Sequence, residues 1–156
     1  MESRDEFKEY VLKYFDGKVV LESDDLTIVI RAHLLVENIL EKLLKGCLDI
    51  TVFEERDLSF NLKLKMAQSM NLLEDLYPAI KRLNKIRNDF AHKIETKIET
   101  MDISVFIQLY ENEGRENDPT WKAALNNKKA CFGIVIHYIL SRLVSAYDRN
   151  QKKRVI

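Results

Sequence analysis

The chain has 156 residues, of which 46% are apolar and 32% charged, a balance that describes one globular domain over residues 1–156 and argues against disorder. Lys+Arg and Asp+Glu stand at 25 each, so the basic excess of a dedicated duplex-DNA binder is missing and sequence-specific duplex DNA is not an expected partner. Four glycines and two prolines are too few for an all-β fold, which turns about every ten residues.

In chain order, a first helix is expected over residues 3–15, with Phe7, Tyr10, Val11, Tyr14 and Phe15 on one face and Gly17 as its stop. Residues 18–21 (Lys-Val-Val-Leu) suit a short extended stretch. Ser23, Asp24 and Asp25 then supply N-cap chemistry and first-turn acids. The helix they open should run to Lys45 with Gly46 as its C′ residue. Ile28, Val29, Ala32, Leu35, Val36, Ile39, Leu40 and Leu43 give it a broad apolar stripe, which predicts the most buried helix of the fold. A third helix begins at Asp57 or Ser59 and carries Phe60, Leu64, Ala67 and Met70. The fourth starts near Glu74, tolerates Pro78 in its first turn, and continues to Lys93 with Leu76, Ile80, Leu83, Ile86 and Phe90 inward.

Between residues 95 and 118 seven acids face only Lys97 and Arg115. Residues 101–110 suit a short helix, and residues 111–119 read as the longest loop. A last helix is expected from Thr120 to Arg149, with a kink near Gly133 and a solvated Lys152-Lys153-Arg154 end. The fold class is therefore all-α: an antiparallel bundle of four to five main helices. Cys47 and Cys131 are far apart and lack metal-ligand spacing, so they read as reduced core thiols. The charged opening residues show no signal-peptide pattern. The longest apolar runs, 26–30 and 132–140, fall well short of the about 18 residues of a membrane span. A cytoplasmic protein without membrane contact is expected.

The three histidines differ in company. His33 and His137 lie in apolar runs and read as core or interface residues with satisfied rings. No HExxH, paired Glu-x-x-His, P-loop, GxGxxG or GxSxG is present, so no metal site and no cofactor are expected. His92 closes the segment Arg87-Asn88-Asp89-Phe90-Ala91-His92. On a helix Asn88 and His92 share a face, and the long Arg87 side chain reaches the same side. Asp89 flanks it, and Phe90 points to the core. Lys81, Arg82, Lys85, Arg87 and Lys93 set five cations against the single acid Asp89. A local cationic patch suits a phosphate-bearing ligand: arginine offers a permanent bidentate donor, and histidine exchanges protons near neutral pH. The bland alternative is a surface arginine and a histidine at a helix C-terminus.

The hexapeptide resembles the R-x4-6-H motif of HEPN domains, and its place late in a helix after a long apolar helix is similar to theirs. Residues 23–92 further resemble the mannitol operon repressor-like branch, through Leu34-Leu35-Val36-Glu37-Asn38-Ile39-Leu40-Glu41 followed by Phe60-Asn61-Leu62-Lys63. That resemblance implies a helical bundle and, for many HEPN domains, metal-independent RNA cleavage of the toxin or phage-defence type. It then implies His92 as general acid or base, Arg87 as stabiliser of charge on the phosphate and Asn88 as orienting group, with Lys63, Lys85, Asp89 and Lys93 in binding roles. One histidine does not readily serve as both base and acid in a turnover, so a homodimer presenting two Arg87/His92 pairs across one groove is expected. The other outcome the resemblance allows is a non-catalytic, mannitol operon repressor-like module. Such a module binds a nucleotide or a regulatory protein partner, whereas an antitoxin is the partner that the toxin reading implies. The lack of stacking aromatics beside the cations and the acidic 95–118 segment cut against cleavage, so this second outcome stands beside the ribonuclease reading, which is placed first.

Overall fold

Caps open the helices. Asp16, Asp24, Ser59 and Asp118 each stand one residue before a helix and accept a backbone N–H from inside it: Val19 at 2.8 Å, Thr27 at 2.8 Å, Leu62 at 3.3 Å and Thr120 at 2.8 Å respectively. A computed structural model describes residues 4–48 and 58–154, and among them there is no strand. The helices are α1 (Arg4–Tyr14), α2 (Gly17–Glu22), α3 (Asp25–Cys47), α4 (Phe60–Ser69), α5 (Tyr77–His92), α6 (Ser104–Tyr110), α7 (Pro119–Ala124) and α8 (Lys128–Arg154). Short 3-10 turns at Glu74–Leu76 and Ile98–Thr100 and a π-helical turn at Glu111–Arg115 join them.

α3 is the buried centre, as its stripe predicts: Ile28, Val29, Ala32, Val36, Ile39, Leu40 and Leu43 are wholly enclosed. Contacts at both ends fix its direction against α8. Asp25 pairs with Lys129 at 3.6 Å, and Gly46 lies beside Gln151, so these two helices run parallel. α5 runs the other way, since Asn84 meets His33 while Ile98, beyond its end, donates to Asp25. α1 and α2 also oppose α8, through Phe7 on Tyr147 and Val20 on Gly133. The bundle is thus mixed: its two longest helices are parallel, where a wholly antiparallel arrangement is expected from sequence.

Several boundaries differ from expectation for local reasons. Gly17 does not stop a helix; capped by Asp16 it begins α2, so residues 18–21 are helical rather than extended. Gly46 is a buried helical residue, and α3 continues to Cys47. Tyr10 and Tyr14 leave the core face and pack on each other at 4.8 Å, while Phe7, Val11 and Phe15 are buried. The expected loop at 111–119 contains the π-helical turn, where Gly114 takes φ 74°, a left-handed conformation cheap only for glycine. The expected single last helix is two, because the Asn127 side chain accepts from the Ala130 N–H and opens α8 afresh. No kink occurs at Gly133; its missing side chain lets α2 sit directly on α8. Asp57, the alternative start for α4, lies outside the described residues.

Of the two cysteines, Cys131 is buried, its thiol bonded to the Ala124 carbonyl, whereas Cys47 is exposed rather than a core thiol. α8 is long and apolar enough by length and composition to cross a membrane, although no apolar run in the sequence is; 61% of its most apolar window is packed inside the bundle.

Candidate functional site

α5 buries Ala79, Ile80, Leu83 and Ile86 against the core, which leaves Asn84, Arg87 and Asn88 along its border with α3 and α4. Asn84 and Asn88 are one turn apart on one face. At 100° per residue, Arg87 and His92 leave the helix about 140° apart. The arginine closes part of that angle: its Nη1 donates to Asn88 Oδ1 at 3.2 Å, which draws the guanidinium toward the Asn88 side. Arg87 is half-buried and Asn88 exposed.

His92 ends α5, exposed, and its ring has no hydrogen-bond partner among the described residues. Among the described residues no hydrogen bond fixes its tautomer or direction. Asp89 and Lys93 form an i,i+4 ion pair at 3.1 Å beside it. Phe90 is half-buried and packs against the core, as its phase predicts.

A groove of about 510 Å³ lies where α4, α5 and α6 meet. Asn61, Asn84, Asn88, Lys81 and Lys85 line it. Amide oxygens and nitrogens with two ammonium groups are the chemistry that recognises a nucleobase edge and a phosphate. Arg82 lines it too, but its guanidinium is engaged by the Asp102 carbonyl through bonds of 3.1 and 2.9 Å. Of the predicted site residues, Asn88 and Lys85 line the groove; Arg87, His92, Asp89 and Lys93 do not, and the last two are paired with each other.

Lys63 is elsewhere. It is 4% exposed, held by Glu37 at 2.8 Å and Glu41 at 2.5 Å on α3. Burial works against its charge, but the bonds to Glu37 and Glu41 outweigh that and hold the ammonium above its usual range. Lys63 ties α4 to α3 and presents no cation to a ligand.

Beneath the groove runs a chain of polar contacts that the motif alone does not reveal. His33 Nε2 bonds Asn84 Oδ1 at 3.0 Å, and Asn84 Nδ2 donates to Asn61 Oδ1 at 3.1 Å. Phe60 stacks on the His33 ring at 4.2 Å. Burial lowers the His33 pKa below its ordinary value; the Asn84 bond and Glu37 oppose this, and Arg87 and Lys63 add to it. The expected satisfied core histidine is found here, but it shares electrostatics with the arginine of the motif. His137 is not a core histidine: it is exposed on α8 and lines a separate cavity. No group of three or more His, Cys, Asp or Glu converges among the described residues.

No family model, curated protein or solved structure matches this chain.

Proposed function

We propose that this chain is a HEPN-type, metal-independent endoribonuclease of the toxin or phage-defence kind, acting in the cytoplasm as a twofold homodimer. The observation that carries the reading is the free, exposed His92 one turn beyond the Arg87–Asn88 pair. A buried structural histidine has its polar ring atoms engaged, as His33 Nε2 is by Asn84. An exposed ring with no partner among the described residues is available to a phosphate or a hydroxyl.

The chemistry is an internal transfer. His92 of one protomer takes the proton of an RNA 2′-hydroxyl, whose oxygen attacks the neighbouring phosphorus. The 5′ oxygen of the next nucleotide leaves with a proton from His92 of the partner subunit. The products are a 2′,3′-cyclic phosphate and a 5′-hydroxyl, and no water or metal enters the step. Arg87 meets the charge that grows on the non-bridging phosphate oxygens, where a preformed donor contributes most. Asn88, bonded to Arg87, sets the direction of the guanidinium. Lys85 and Lys81 lead the flanking phosphates toward the groove.

Product analysis tests this. A short RNA incubated with the full chain in EDTA should give fragments with the mass of a cyclic phosphate, and an RNA with a single 2′-deoxy residue at the cut site should stay whole. Sedimentation at micromolar concentration should give twice the chain mass. Cleavage of the deoxy substrate, or a monomer that cleaves, contradicts the two-histidine scheme. A stable dimer that cuts no RNA supports instead the non-catalytic, partner-binding reading.

A further inference from the structure

A second cavity, of about 730 Å³, opens between α2, α7 and α8 and shares no lining residue with the Arg87/His92 face. Its size falls in the range of roughly 300–1,000 Å³ typical of small-molecule sites. Small side chains make the room: Gly17, Ala123, Ala124 and Ala130 line it, and a Cβ on Gly17 would meet nothing within 4 Å. Ile134 and Val20 add apolar wall.

Arg115 is the only Lys or Arg in the lining. The π-helical turn brings it over two tyrosine rings, 5.5 Å from Tyr110 and 5.0 Å from Tyr138. No carboxylate pairs with Arg115 among the described residues. The contrast with Arg142, 5.6 Å from the same Tyr138 ring, is direct: that guanidinium is held by Glu74 and Asp75 at 2.6 Å and by Glu113 at 3.3 Å. Glu111, from the same acidic turn, accepts from the Trp121 indole N–H. Glu74, Asp75, Glu111 and Glu113 are thus engaged elsewhere, and the exposed Arg115 guanidinium stands at the rim of a mostly apolar cavity whose lining includes one acid, Asp16.

We propose that this cavity binds a small organic monocarboxylate with an apolar body. The carboxylate sits on the Arg115 fork, whose geometry matches it, and the apolar part lies against Ala124, Ala130 and Ile134. A polyphosphate fits poorly, because one arginine faces several charges and Asp16 stands on the same lining.

Calorimetric titration of the full chain with 4-phenylbutyrate and with decanoate, each beside its primary amide, tests this. Each acid should bind at least about tenfold more tightly than its amide, the ratio expected from one charge-assisted contact. Arg115→Gln should remove that preference by weakening the acid about tenfold and leaving the amide within about twofold. Ala123→Trp, an exposed wall position, should block both. His92→Ala should change neither, which separates this site from the RNA-cleavage reading. If neither acid binds at millimolar concentration, or if Arg115→Gln weakens acid and amide alike, the proposal fails. Should Ala123→Trp unfold the chain, the Arg115→Gln ratio decides alone.

Discussion

His33 on α3 and Asn84 on α5 are joined by one hydrogen bond of 3.0 Å, and Asn84 passes the link to Asn61 on α4. Three helices are thereby keyed to one another beneath the groove that carries Asn88 and Lys85. Asn84→Ala leaves the buried His33 nitrogen without its acceptor. The expected loss is about 1–3 kcal/mol of unfolding free energy, read from urea denaturation. A loss under about 0.3 kcal/mol would show that the link contributes nothing net.

The same histidine makes stability depend on pH. Its folded pKa lies below the ordinary 6.5, so the unfolded chain takes up the proton first. The contribution of neutral His33 is therefore complete above about pH 6.5 and is lost as the pH falls through the folded value. His137, partly desolvated on α8, shifts in the same direction, so the readout is a difference between two chains. The urea midpoint of the native chain should fall more steeply between about pH 7.5 and about pH 5 than that of His33→Gln. Parallel curves would remove His33 from the account.

Lys63 separates a structural cation from a ligand-binding one. Lys63→Ala leaves Glu37 and Glu41 facing each other without their shared ammonium. A fully enclosed pair would cost about 3–5 kcal/mol to break, and the partial exposure of both acids reduces this to about 1–3 kcal/mol. RNA affinity, measured by fluorescence anisotropy in the folded variant, should stay within about twofold of the native chain, whereas Lys85→Ala should weaken it and flatten its salt dependence. Loss of RNA binding in folded Lys63→Ala alone would return Lys63 to the site.

Gly133 lets α2 touch α8. A Cβ there would stand 2.6 Å from Val20 Cγ1 and 3.0 Å from its Cγ2. Gly133→Ala should cost about 1–3 kcal/mol through this overlap, offset in part by better helix propensity. Adding Val20→Ala should restore some of the loss, so a double-mutant cycle gives coupling of opposite sign to the single change. Simple additivity would show that α2 shifts freely.

How far the sequence discloses this protein depends on whether the signal is local. The α3 and α4 starts are legible because Asp24 and Ser59 cap within three residues. The α7/α8 break is hidden because it uses neither Gly nor Pro; its one sign is Asn127, a cap residue inside an apolar pattern. Gly17 misleads for the opposite reason, since the Asp16 cap overrides its usual role as a stop. At the candidate site, spacing on one helix puts only Asn88 and His92 on one face, and it is the resemblance of the hexapeptide that singles them out together with Arg87. The burial of Lys63 is not legible there, because it is made by α3, although Glu37 and Glu41 one turn apart on an apolar helix are themselves a sign that a cation must lie between them. Asn61 and Asn84 are invisible for the same reason: each has meaning only once α4 and α5 meet over His33.

Single-turnover RNA cleavage in EDTA measures most directly whether His92 is the proton-transfer group of a metal-free cleavage. His92→Ala should lower the rate by about 10²–10⁴-fold, the usual consequence of losing a general acid–base group, with little change in the melting profile because the ring is exposed and makes no hydrogen bond among the described residues. Arg87→Ala should lower it comparably and Asn88→Ala less. A native chain that cuts RNA only with magnesium, or a His92→Ala chain that cuts at the native rate, would contradict the account.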